Sequence, residues 1–179
     1  METKIKLSDL IDKDKVVEVA KQEQLNYLLN QEPLKEWVKV HPFIKGYKYI
    51  PIGIIEILLI KIFKSYSIEV VNYGMLLNAV ACHVRLTVVS PVNGEKNTLD
   101  GVGAVEVQTI KDSGALKLDM SNINRGAIMM SLPAAKSFAI KDAAEHLGRL
   151  FGRDLNRKEA DTLQFQMDAN LMNIDNLIK

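Results

Sequence analysis

The sequence predicts an α+β domain with a β-β-β-α core, in which a three-stranded antiparallel sheet packs on a long helix and further helices flank it. Three observations carry that expectation. Between residues 131 and 157, apolar residues recur at Ala135, Phe138, Ala139, Ala143, Leu147, Leu150 and Phe151, the 3.6-residue stripe of a core-facing helix. Upstream, between residues 67 and 109, three runs read as strands, the long second one rich in Val and Leu. Asn93-Gly94 stands between the second and third of these runs and predicts a type I′ hairpin turn.

Taken in chain order, residues 14–30 read as a helix, with Val16, Val17, Ala20, Leu25, Leu28 and Leu29 as its apolar positions. The segment from Pro33 to Ile50 interleaves Trp37, His41, Phe43, Tyr47 and Tyr49 with Lys35, Lys39, Lys45 and Lys48. Single-stranded nucleic acid sites use this mixture, because ring faces stack bases and ammonium groups hold phosphates. A loop whose rings anchor it to the core, with solvated lysines, accounts for the same residues. Residues 52–64 are apolar enough for a largely buried helix, and Glu56, Lys61 and Lys64 favour helix over strand.

The strands are expected at 67–73, 75–89 and 97–109. Gly101 and Gly103 suggest a bulge or a close backbone approach in the third. Residues 111–130 read as a long loop. The main helix is then expected to open with Ser131 as N-cap and Pro133 in its first turn, and to run on towards Arg157. On it, Lys141, Glu145, Arg149 and Arg153 would form one ridge. A partly amphipathic segment covers 158–178. No repeat or linker divides the chain, so one domain over 1–179 is expected: an N-terminal helix and basic, aromatic segment (1–48), the β-β-β-α core (49–156) and a C-terminal helical segment (157–179).

The composition bounds the function. The chain has 179 residues, 47% of them hydrophobic, and a formal net charge of +1, so any basic surface must be local. Cys82 is the single cysteine, which excludes a disulfide framework and points to a reducing compartment. No signal peptide or membrane span is expected, and a soluble cytoplasmic protein is the default.

No enzyme chemistry stands out. Gly101-Val102-Gly103 lacks the third glycine of a dinucleotide fingerprint, Glu106 standing in its place, and no Walker A pattern exists. His41, His83 and His146 are too scattered for a metal site, and Cys82 has no evident base. Asp142 and His146 fit an i,i+4 ion pair better than a catalytic dyad. No cofactor is expected.

The order helix, β-β-β, helix, with LLNAVACHVRLTVV, then NTLDGVGAVEV, then SLPAAKSFAIKDAAEHLGRLFG, resembles the single-strand annealing proteins of the Rad-fifty-two type, which include phage recombination proteins such as Sak. The likeness covers about residues 49–156. It implies a homo-oligomeric ring or filament that binds single-stranded DNA in a basic groove and anneals complementary strands without ATP, in recombination and repair. A single-strand-binding protein would be a further partner, and a membrane would not. The resemblance places the groove between the sheet region and a stem, and matches Arg149, Tyr49 and Arg85 to positions that touch or border DNA. Two adjacent basic residues that the family carries one turn before Arg149 are here Glu145 and His146, and a basic residue that often begins the second strand is here Met75. Contacts would then shift to Lys141, Arg153, Lys136, Lys45 and Lys48. The compartment implied is the cytoplasm of a bacterial or phage-infected cell, with a nucleus left open. A nucleic-acid-binding module without annealing activity, or an oligomeric scaffold, would account for the same residues.

Overall fold

In the computed structural model, residues 13–42, 44–110 and 120–157 are described. Helix α1 (Lys13–Leu29) leads into a short ribbon, β1 (Lys39–Val40) paired antiparallel with β2 (Lys48–Tyr49). Helix α2 (Ile52–Ile62) follows, then the strands β3 (Ser65–Leu76), β4 (Ala79–Val89) and β5 (Lys96–Glu106), and finally helix α3 (Ala127–Glu145). The sheet order is β3-β4-β5, antiparallel throughout, with α3 packed across β4 and β5. This is the α+β, β-β-β-α arrangement expected from the sequence.

Strict alternation fixes which face of β4 is buried. Val80, Cys82, Val84, Leu86 and Val88 are buried, while the residues between them are half-exposed on the opposite face. That apolar row meets Ala135, Ala139 and Ala143 of α3, and Ile55, Leu59 and Phe151 complete the core. Gly101 and Gly103 allow the contact to be close. A Cβ on Gly101 would run into the Ala139 carbonyl and the Ala143 amide, and one on Gly103 into the Ala139 amide and the Ala135 carbonyl. Close approach is therefore the role of these glycines, and β5 pairs with β4 without a bulge.

The sheet's one register shift lies in β3, between Val70 and Asn72. The extra residue reverses the alternation, so Tyr73 and Met75, opposite Cys82 and Val80, point to the same side as Val70. Beyond this point β3 leaves the cover of the helices. Tyr73 is 65% exposed, Met75 51% and Leu77 87%.

Several boundaries differ from the sequence expectation. Met75 does not start the second strand. It belongs to β3, and the chain reverses at Leu77-Asn78, with Leu77 in the left-handed region at φ 55°. The β4–β5 connection is not a two-residue type I′ turn. Ser90 N–H donates to the Glu95 carbonyl (2.8 Å) and Gly94 N–H to the Ser90 carbonyl (3.1 Å), so four residues form the loop and only Gly94 takes positive φ.

Helix α3 starts five residues earlier than expected, with Gly126 and not Ser131 at the N-cap. Gly126, at φ 79°, sets the entry, and the Ala127 amide is taken by the Asn124 carbonyl. Ser131 is thus no cap: it is buried within the helix, and its hydroxyl donates back to the Ala127 carbonyl at 2.8 Å. Pro133 likewise lies in the helix interior. The helix also ends early, at Glu145. Gly148 takes φ 151° against the backbone of Leu29, and a short 3-10 turn at Arg149–Phe151 follows. The ridge of Lys141, Glu145, Arg149 and Arg153 is therefore broken after Glu145. The C-terminal segment 158–178 lies outside the described residues.

Candidate nucleic-acid interface

The break after α3 creates an open depression. Once Gly148 turns the chain, residues 149–157 fold back towards the end of α1 and the β1–β2 ribbon. Between them runs a groove of about 980 Å³, lined by Lys35, Lys48, Arg149 and Arg157 together with Glu32 and Asp154. Four cations face two carboxylates, so the groove is basic although the chain as a whole is close to neutral.

These cations differ in how far they are committed. Arg149 is the most fixed: its side chain is 18% exposed, bonded to Glu32 at 2.9 Å and to Asp154 at 3.2 Å. Asp154, itself 12% exposed, also collects Arg157 at 3.5 Å and Arg153 at 3.9 Å. Arg153 donates a further bond to the Asn30 side chain at 2.7 Å, tying the turn to the end of α1. Lys35 and Lys48 are exposed and enter no ion pair among the described residues. The Lys48 backbone is held in place, since the Asn156 amide side chain bonds its N–H at 2.8 Å and its carbonyl at 2.9 Å. Lys48 thus offers a free ammonium from a fixed backbone.

Strand β2 separates this groove from a second cavity. Alternation along the strand turns Lys48 to the groove and Tyr49 to the other side. There, a cavity of about 270 Å³ lies among Tyr47 and Tyr49, Phe138, Lys141, Asp142 and Glu145 of α3, and the free edge of β5. Lys141 Nζ stands 4.9 Å from the Tyr49 ring centre and 4.3 Å from that of Phe138. His41 meets both tyrosines edge-on, at 6.0 and 6.1 Å. Asp142 accepts the edge-facing Val102 N–H at 2.9 Å, which caps the sheet at that point.

The electrostatics of this cavity follow from partial burial of several charges. Burial and then the neighbouring Asp142 push Glu145 up to about 7, opposed by Arg157 and Lys141. Burial pulls the Lys141 ammonium down, with Glu145 opposing, and burial followed by the two carboxylates raises the Tyr47 phenol.

No protein-family model and no curated protein matches the chain. The geometry therefore carries the functional argument. Of the residues singled out from the sequence, Arg149 and Lys48 meet in the groove, and Tyr49 and Lys141 meet in the adjoining cavity. Lys45 is exposed in the turn between β1 and β2. Arg153 borders the groove but is spent on Asn30 and Asp154.

Two others are placed elsewhere. Arg85 lies on the sheet face turned away from α3, where it forms a two-bond pair with Asp100 at 2.9 and 3.3 Å. Hydrogen bonding to Arg85 lowers the Asp100 carboxyl, and His83 adds a contact at 3.7 Å. Lys136 is exposed on α3 and acts on Cys82 of β4, whose thiol burial pushes up and Lys136 pulls partly back. Neither lines the groove. Sequence reading did not single out Arg157, Phe138 or the Glu32–Asp154 pair. Arg157 sat at the end of the basic stretch, and Phe138 was assigned wholly to the core stripe.

Proposed function

We propose that this chain binds single-stranded DNA along the groove between the segment that follows α1, the β1–β2 ribbon and the 149–157 turn, and anneals complementary strands without ATP. The observation that carries the reading is the basic groove with free ammonium groups at Lys35 and Lys48, bordered through β2 by the rings of Tyr47 and Tyr49. Single-strand sites combine these two parts, since cations track the backbone and rings stack bases without choosing a sequence. The resemblance to annealing proteins of the Rad-fifty-two type leads to the same residues, Arg149, Tyr49 and Lys48 among them.

Self-association belongs to the same reading. The outer half of β3 and the first turn of α3 expose Tyr73, Met75, Leu76, Leu77, Met129 and Met130. Apolar exposure on this scale marks a contact surface. Among the described residues β3 pairs only with β4, so its other edge, with Glu69 as the strand's only charge and no proline, adds open backbone groups. Repetition of one groove around an assembly would add many weak phosphate contacts. The cytoplasm of a bacterial or phage-infected cell is the compartment this function implies, and among the described residues no helix is long and apolar enough to cross a membrane.

The test is annealing of two complementary labelled oligonucleotides with no nucleotide or metal added. Acceleration above the spontaneous rate that fades with rising salt is expected. Binding without acceleration would leave a passive nucleic-acid-binding module, and no binding would leave a scaffold.

A further inference from the structure

We propose that the cavity between β2, α3 and the free edge of β5 takes one unstacked nucleobase of the bound single strand. The inference rests on the single-strand reading above and assigns a second, base-binding part to it.

Three features of the cavity carry this. The first is ring surface. Lys141 Nζ stands over both the Tyr49 and Phe138 rings, so each ring turns a face to the cavity and the ammonium covers it. A base stacked there would take the place of the ammonium, which its flexible stem can swing to a phosphate. The second is size. At about 270 Å³ the space falls just below the roughly 300–1,000 Å³ of pockets for drug-sized ligands, and suits a single heteroaromatic ring system.

The third is hydrogen-bonding capacity. Asp142 spends one oxygen on Val102 N–H, but the half-buried Glu145 carboxyl makes no hydrogen bond or ion pair among the described residues. Around it stand Asp142 and Lys141 from its own helix, Arg157 from the following turn and Tyr47 from the ribbon. A carboxyl that is protonated in part of the population near neutral pH both donates and accepts, and base edges carry both kinds of group. Lys48 and Tyr49 are neighbours on β2 but face opposite sides, so a strand held by a phosphate at Lys48 would reach the cavity by crossing over β2.

The experiment compares affinity for oligothymidylate with affinity for an abasic strand of equal length, at one salt concentration. It uses the wild type, Tyr49→Leu and Phe138→Leu, each checked by its melting temperature. The wild type is expected to prefer the base-bearing strand, and either variant to lose about tenfold on that strand alone. Equal losses on both strands, or a preference unchanged in both variants, would overturn the base pocket and leave the groove standing. Binding of neither strand by the wild type would overturn the single-strand reading and the pocket with it.

Discussion

Replacing Arg149 with alanine separates a structural role from a binding role. The sequence places this arginine on an exposed helix ridge, where its loss would cost affinity and leave stability untouched. The structure puts it on a 3-10 turn, 18% exposed between Glu32 and Asp154. The link to Glu32 contributes little, because that carboxylate is 78% exposed and screened by solvent. Asp154 decides the magnitude. It is 12% exposed and loses its nearest cation, at 3.2 Å, while Arg157 at 3.5 Å and Arg153 at 3.9 Å take up part of the charge. A fully uncompensated buried carboxylate would cost about 3–5 kcal/mol, and one lost charge-assisted bond about 1.5–3. About 2 kcal/mol is therefore expected for Arg149→Ala, or about 4–8 °C in melting temperature for a chain of this size. Arg149→Lys recovers little of it, because an ammonium cannot reach both carboxylates in the same fork. Urea and thermal unfolding measure the loss directly. A drop below about 1 °C would refute the clamp and return Arg149 to the exposed ridge.

Glu145→Gln should alter the pH dependence of stability. The unfolded carboxyl ionises near its ordinary 4.5 and the folded one only near 7, so stability falls as pH rises through that window and levels off above it. After allowance for the side chain's partial exposure the loss is about 1–2 kcal/mol, and the glutamine variant should show no such slope between pH 5 and 8 in urea midpoints. Equal slopes in the two proteins would contradict the raised carboxyl. Gly103→Ala should destabilise by about 3 kcal/mol or more, because its methyl would enter the backbone of α3 between Ala135 and Ala139; a melting temperature within a degree of wild type would remove that packing argument. If the chain self-associates through the outer half of β3 as proposed, Met75→Asp together with Leu77→Asp should shift sedimentation towards the monomer and leave the circular dichroism spectrum unchanged, since both side chains are exposed. A wild type that sediments as a monomer, or an assembly unaltered in the variant, would contradict that contact.

Much of the fold was legible because it rests on periodicity. The apolar stripe of α3 reads directly, whereas the run 75–89 reads as a strand from its Val and Leu content, and its alternation becomes strict only once residues 75–78 are assigned to β3 and the turn. The ends were less legible. Ser131-Leu132-Pro133 has the composition of a helix start, but Gly126 in the left-handed region lets the chain enter five residues sooner. Gly148 packs on Leu29, and its conformation stops the helix.

That single stop redistributes the candidate site. It moves Arg149 and Arg153 off the helix face of Lys141 and Glu145 and into pairs with Glu32 and Asn30, partners more than a hundred residues away in sequence. No local pattern encodes such pairs. Arg85 shows the converse: strand alternation alone puts it on the face opposite Val84 and Leu86, away from α3, and the register with β5 gives it Asp100. Tyr49 stands out in the aromatic, lysine-rich segment and again in the resemblance, Lys141 on the basic ridge, and the fold brings them to one cavity with Phe138.

The most direct test of the basic groove is single-stranded DNA affinity as a function of salt, for the wild type and for Lys48→Ala, a residue with an exposed side chain and a backbone fixed by Asn156. The account predicts weaker binding by the variant, an unchanged melting temperature, and a log–log salt slope lower in magnitude by about 0.7, the value for one phosphate contact on a single strand. An affinity and slope identical to wild type would contradict it and take the groove out of the binding path.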